Sequence, residues 1–121
     1  MSAVVGIGCR ASASPEAIAA LVGEARARAG LELSSLHTAA AVAAPALAEA
    51  AARLGLPLYR HDEAALAAVA GRVVSYSPRV EARFGVGSVA EAAALVGAGE
   101  GARLIVPKFS AEGVSCAVAE S

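Results

Sequence analysis

The residues best suited to chemistry sit near the N-terminus, in Val4-Val5-Gly6-Ile7-Gly8-Cys9-Arg10, with Ser12, Ser14, Pro15 and Glu16 close behind. An apolar run that breaks into glycines and meets a helix start reads as a buried strand turning into a helix. Gly6 and Gly8 remove side chains where the backbone turns sharply or lets another group approach. Ser12 or Ser14 can cap the helix, Pro15 suits its first position and Glu16 its positive end. Free amides at such a turn form an anion site, and Arg10 adds a permanent charge with a fork of donors. The other reading is that the glycines serve only the tight turn. Gly6-x-Gly8-x-x-Ala11 partly matches the dinucleotide fingerprint. However, the second strand candidate runs into His37-Thr38-Ala39-Ala40 with no acid for a ribose. The Gly-Lys-Ser/Thr of a P-loop is missing as well.

More donors lie downstream. Lys108 follows Pro107 at a broken strand, and Gly87-Ser88-Val89 offers amides where another helix begins. Each has an ordinary alternative. A lysine at a strand end is usually solvated. Ser77 reads as a helix cap before Pro78, and Glu91 as the reciprocal partner of Ser88 in a capping box. Cys9 is either packing or, beside Arg10 at a helix start, a thiol made more acidic. The soft ligands Cys9, Cys116, His37 and His61 show no metal-ligand spacing, so neither a metal site nor a cofactor is expected. A serine triad is unsupported: there is no Gly-x-Ser-x-Gly, and neither histidine has an evident carboxylate partner.

The elements that must position these groups follow from periodicity. Ile18, Leu21, Val22, Ala25 and Ala29 make one stripe on a helix over 15–29, with Glu24 and Arg28 paired outside and Gly30 as its cap. A second strand is expected over 36–41, a helix over 45–54 and a third strand over 56–60. A short helix follows from the Asp62 cap through 70; 73–76 is strand or turn, and another helical turn runs from Ser77-Pro78 to Phe84. Ser88-Val89-Ala90-Glu91 opens the next helix. Leu104-Ile105-Val106 and the alternating Val114, Cys116 and Val118, joined by Glu112-Gly113, predict a closing hairpin. Alternating elements predict an α/β fold: a three-layer α/β/α domain with a mixed, mostly parallel sheet and a C-terminal β-hairpin.

The 121 residues suit one domain, 1–121. No apolar run reaches the about 18 residues of a spanning helix, and no signal peptide is visible. The expected location is the cytoplasm, with the two cysteines as free thiols. A net charge of -1 gives no pull on nucleic acid. An Ala-rich surface leaves a homodimer open.

Four stretches together resemble a known family. They are Gly6-Ile7-Gly8-Cys9-Arg10 with Pro15-Glu16; Leu54-Gly55-Leu56-Pro57-Leu58; Ser77-Pro78-x-Val80 with Gly85-Val86 and Ser88-Val89-Ala90-Glu91-Ala92-Ala93-Ala94-Leu95; and Leu104-Ile105-Val106-Pro107-Lys108 with Gly113-Val114-x-Cys116-Ala117-Val118-Ala119. In this order they resemble the CobE / CbiG C-terminal domain family of cobalamin biosynthesis, along essentially the whole chain. In the anaerobic pathway this domain ends CbiG, which opens a lactone ring of a cobalt-precorrin and releases acetaldehyde; in the aerobic pathway it stands alone as CobE. The chain opens at the signature and so resembles the stand-alone form. One departure stands out. Where the family often has an acidic, lysine-containing run, this chain reads Thr38-Ala39-Ala40-Ala41-Val42-Ala43-Ala44-Pro45, leaving Thr38 as the polar remnant. The resemblance implies a corrinoid or precorrin ligand, with other pathway enzymes as possible partners. Such a ligand is a flat apolar ring fringed by carboxylates. Gly6, Gly8, Cys9, Arg10, Ser12, Thr38, Ser77, Gly87, Ser88, Glu91 and Lys108 are the candidate binding residues. The function expected is to carry such an intermediate or assist its processing, with hydrolysis of a precorrin lactone as the alternative.

Overall fold

A computed structural model describes residues 3–121. Its elements are β1 (Ala3–Cys9), α1 (Pro15–Ala29), β2 (Leu33–Ala39), α2 (Ala46–Leu54), β3 (Leu58–His61), α3 (Glu63–Ala67), α4 (Pro78–Phe84), α5 (Val89–Ala98), β4 (Arg103–Ala111) and β5 (Val114–Glu120). They build one five-stranded sheet in the order β3-β2-β1-β5-β4. The pairs β1–β2 and β2–β3 are parallel, and β1–β5 and β4–β5 antiparallel. Four strands therefore point one way and β5 alone runs back. The expected mixed α/β sheet with a terminal hairpin is what forms.

Helices cover both faces, and strand alternation decides which residues meet them. Val5 and Ile7 turn toward α1, whose Ile18, Leu21, Val22 and Ala25 complete that half of the core. Gly6 turns the other way, toward α5. A Cβ on Gly6 would stand 1.9 Å from the Ala90 carbonyl oxygen. The glycine is thus the reason that α5, rich in Ala, lies flat on the sheet. The α1 ends are as expected: Ser14 Oγ accepts from the Ala17 N–H at 3.0 Å, and Gly30 closes the helix at φ 67°.

Several boundaries differ from expectation. The second strand starts at Leu33, because register with β1 begins at Ala3↔Leu33. The third is displaced to Leu58–His61, since the residues before it finish the α2 cap, with the Leu56 N–H donating to Ala51. The helix begun by Asp62 stops at Ala67 and gives way to a tight turn over Ala70–Arg72. Residues 73–76 are neither helix nor strand. β4 runs straight through Pro107, with a register shift between Val106 and Phe109. A bulge there accommodates the proline's missing N–H.

Candidate functional site

β1 is central in the sheet, with parallel β2 on one side and antiparallel β5 on the other. In open α/β sheets, ligands bind in crevices outside the carboxyl ends of the parallel strands. A cleft of about 480 Å³ lies there. Its walls are the end of β1 (Gly8, Cys9, Arg10), the loop after β2 (Val42, Ala43), α4, the start of α5 and the β4–β5 hairpin. Val42, Ala43, Val80, Phe84, Val89 and Val114 supply apolar surface. Four cationic side chains face it, Arg10, Arg79, Arg83 and Lys108, against the single acid Glu112. Among the described residues none of these four cations is in an ion pair. Backbone contacts fix the Arg10 turn. The Arg10 N–H donates to the Gly113 carbonyl at 3.0 Å, and the arginine stem lies against Gly113.

Residues 3–119 match the family described as Cobalamin synthesis G C-terminus. The chain belongs to this family. It is a protein of cobalamin biosynthesis. Protein CobE of Sinorhizobium sp is 38% identical over 120 residues, which is 96% of this chain and 78% of that protein. The crystal structure of CobE, from the cobalamin (vitamin B12) biosynthetic pathway, superposes with a TM-score of 0.91 at 32% identity, covering 99% of this chain and 90% of that one. Cobalamin biosynthesis protein chiG from Agrobacterium tumefaciens gives 0.80 at 37% identity, with 98% of each chain covered. A protein G homologue from Sulfolobus solfataricus shares the fold at TM-score 0.69 and 18% identity, covering 36% of that chain.

In this chain the fold brings together Gly8, Cys9, Arg10, Ser88 and Lys108 at the cleft. Gly6 and Gly87 are not among its lining residues and serve as points of close approach; a Cβ on Gly87 would stand 2.7 Å from the Ser75 carbonyl oxygen. Thr38 is buried and spends its hydroxyl on the Ile7 carbonyl at 2.7 Å, tying β2 to β1. Ser77 caps α4 through the Val80 N–H, and Ser12 lies outside the lining. Glu91 is fully buried. Only half of the capping box forms: Ser88 Oγ accepts from the Glu91 N–H at 3.2 Å. The Glu91 carboxylate turns elsewhere. It accepts from the N–H groups of Val74 at 2.8 Å, Ser75 at 2.9 Å and Lys108 at 2.9 Å, and from Ser75 Oγ at 2.6 Å. One side chain therefore pins the 73–76 segment and the β4 bulge that presents Lys108. Burial works to raise its pKa, but the donors from Lys108, Ser75 and Val74 outweigh it and hold it low.

Cys9 corrects the acidified-thiol alternative. Burial raises its pKa, and nearby Arg60 only partly opposes this. Cys116 is buried with its pKa raised further, and both are free thiols. Among the described residues no three metal-ligating side chains gather, and no helix is long and apolar enough to cross a membrane.

Sequence reasoning missed Arg79 and Arg83. Their spacing of four on α4 places both on one helix face, which is the signal that could have found them. It also missed a second group at the other end of α5, where His37 and His61 are hydrogen-bonded to each other.

Proposed function

We propose that this chain binds a carboxylate-fringed corrinoid intermediate of cobalamin biosynthesis in the cleft and hands it on unchanged. The observation that carries the reading is four cations, none of them in an ion pair among the described residues, around an apolar-walled cleft with the acid Glu112. An apolar macrocycle would lie against Val42, Val80, Phe84 and Val89. Its peripheral carboxylates would meet Arg10, Lys108, Arg79 and Arg83, where forked or charge-assisted donors are strongest. The first amides of α5 add donors at a positive helix end.

The cleft favours carriage over ring hydrolysis because its described lining residues form no matched acid, base and nucleophile. The Cys9 thiol is held protonated. The Ser88 hydroxyl caps α5, and Ser110 and Ser115 bond each other at 2.6 Å. Titration with metal-free and cobalt-containing corrin intermediates, followed by mass analysis of recovered ligand, tests this. Saturable binding with unchanged mass is expected. A mass change would replace carriage with catalysis such as lactone opening, and no binding would remove the reading.

A further inference from the structure

A pocket of about 470 Å³ lies beside the C-terminal end of α5, against β2 and the edge strand β3. It is separate from the cleft, since ten helical residues span roughly 15 Å. Ser35, His37, Tyr59 and His61 line it. Register explains how they meet: His37 pairs with Tyr59 across parallel strands, and His61 follows Tyr59 by two residues on the same face. Gly97 makes the space, because a Cβ there would stand 2.5 Å from the His37 ring.

The polar atoms form a chain. Ser35 Oγ lies 2.7 Å from His37 Nε2, and His37 Nδ1 lies 2.8 Å from His61 Nε2. The two imidazole planes are 7° apart with centroids 5.0 Å apart, so the nitrogens meet head-on. That leaves room for one proton between them. A metal on the same line would need about 2.0 Å to each nitrogen. The Tyr59 ring stacks on His37 with centroids 5.1 Å apart and fixes its orientation. A hydroxyl on Nε2 with an orienting group on Nδ1 is the arrangement that activates a serine for acyl transfer.

We propose that this pocket is an acyl-transfer site for uncharged carboxylic esters, with Ser35 as nucleophile, His37 as general base and His61 as positioning residue. No Arg or Lys side chain lines it among the described residues, so it suits a ligand unlike the carboxylate-rich one of the cleft. Ser35 Oγ attacks the ester carbonyl carbon while its proton passes to His37 Nε2. The His37 Nδ1–H is held by the unprotonated His61 Nε2. The carbon–oxygen bond to the leaving group breaks, and the leaving oxygen takes the proton from His37. Water, deprotonated by His37, then releases the acid and restores Ser35. Burial and the neighbouring His61 lower the His37 pKa to about 4, so Nε2 is free to accept at neutral pH. So weak a base makes acylation slow, and the adduct is best sought as a single turnover.

The test is reaction with p-nitrophenyl acetate at neutral pH, with the acetyl group located by peptide mass spectrometry. The expected result is a slow burst of nitrophenolate equal to the protein present, with the acetyl group on Ser35. Ser35→Ala removes that adduct, and His37→Ala slows the burst about 100-fold. His61→Ala slows it and moves the pH midpoint of acylation upward. Among the described residues the titratable side chains facing His37 are His61 and Tyr59, with Asp62 acting on His61, and the terminal residue Ser121 lines the same pocket. No burst, acetylation elsewhere in place of Ser35, or an unchanged rate in His37→Ala would overturn the proposal. The site of acetylation is read on the unaltered protein, so that outcome does not depend on how the variants fold.

Discussion

Individual side chains divide into those that face a ligand and those that hold the protein together. Arg10 and Lys108 are of the first kind. Replacing either by Ala should weaken corrinoid binding roughly tenfold, the loss of one charge-assisted hydrogen bond, and leave the melting temperature nearly unchanged. Titration calorimetry beside thermal melts would read both effects; equal affinities would place the ligand elsewhere. Glu91 is of the second kind. Glu91→Ala strands the N–H groups of Val74, Ser75 and Lys108, and should cost on the order of 3 kcal/mol or more in chemical denaturation. Its sequence setting, Ser-x-x-Glu at a helix start, pointed to a capping box. The carboxylate instead serves two segments distant in sequence, which local spacing does not reveal. His37 carries a pH signature. Its folded pKa, about 4, lies below the unfolded value near 6.5, so the unfolded chain takes up its proton first. Its contribution to stability is complete above about pH 6.5 and falls away as pH drops toward 4. Glu91, also lowered, adds its loss only below the ordinary carboxylate range. Melting temperatures should fall between pH 6.5 and 4, and less so in His37→Gln; a flat curve there would contradict the buried neutral imidazole.

At the scale of elements, the glycines of β1 matter more for packing than for the turn. Gly6→Ala drives a methyl into the α5 backbone at Ala90, and the helix must lift from the sheet. A cost of about 3 kcal/mol is expected in denaturant unfolding. Gly8 has ordinary clearance, 3.5 Å to the Val89 side chain, so Gly8→Ala should be far milder. Similar losses in both would mean that α5 does not rest on Gly6. The sequence showed that β1 needs glycine but not which element approaches it, because that partner lies more than 80 positions away. Helices α1 and α2 were legible nearly to the residue, since Ser14, Gly30 and Gly55 punctuate them locally. The limits of β2 and β3 depend on register with neighbouring strands and were displaced by one to three residues. Arg79 and Arg83 escaped notice because, although 77–84 read as helical, the face that α4 turns to the cleft is set by tertiary packing.

For the whole molecule, strand order is the property that creates the site. Because β5 returns between β1 and β4, the β1 turn, the start of α5 and the hairpin converge on one edge. The fold class and much of that convergence followed from the alternation of elements and the closing hairpin. The His37–His61 pair did not, because it depends on parallel register between β2 and β3. With four cations at the cleft, binding should weaken as salt rises, most steeply where exposed charges dominate. The most direct measurement is titration of the protein with a carboxylate-rich corrin intermediate at low and high salt, with the ligand recovered and weighed by mass spectrometry. Saturable, salt-sensitive binding is expected, with an unchanged ligand mass and a loss of affinity in an Arg10→Ala, Lys108→Ala double variant. Binding that ignores both salt and those substitutions, or no binding at all, would contradict the cleft as the corrinoid site.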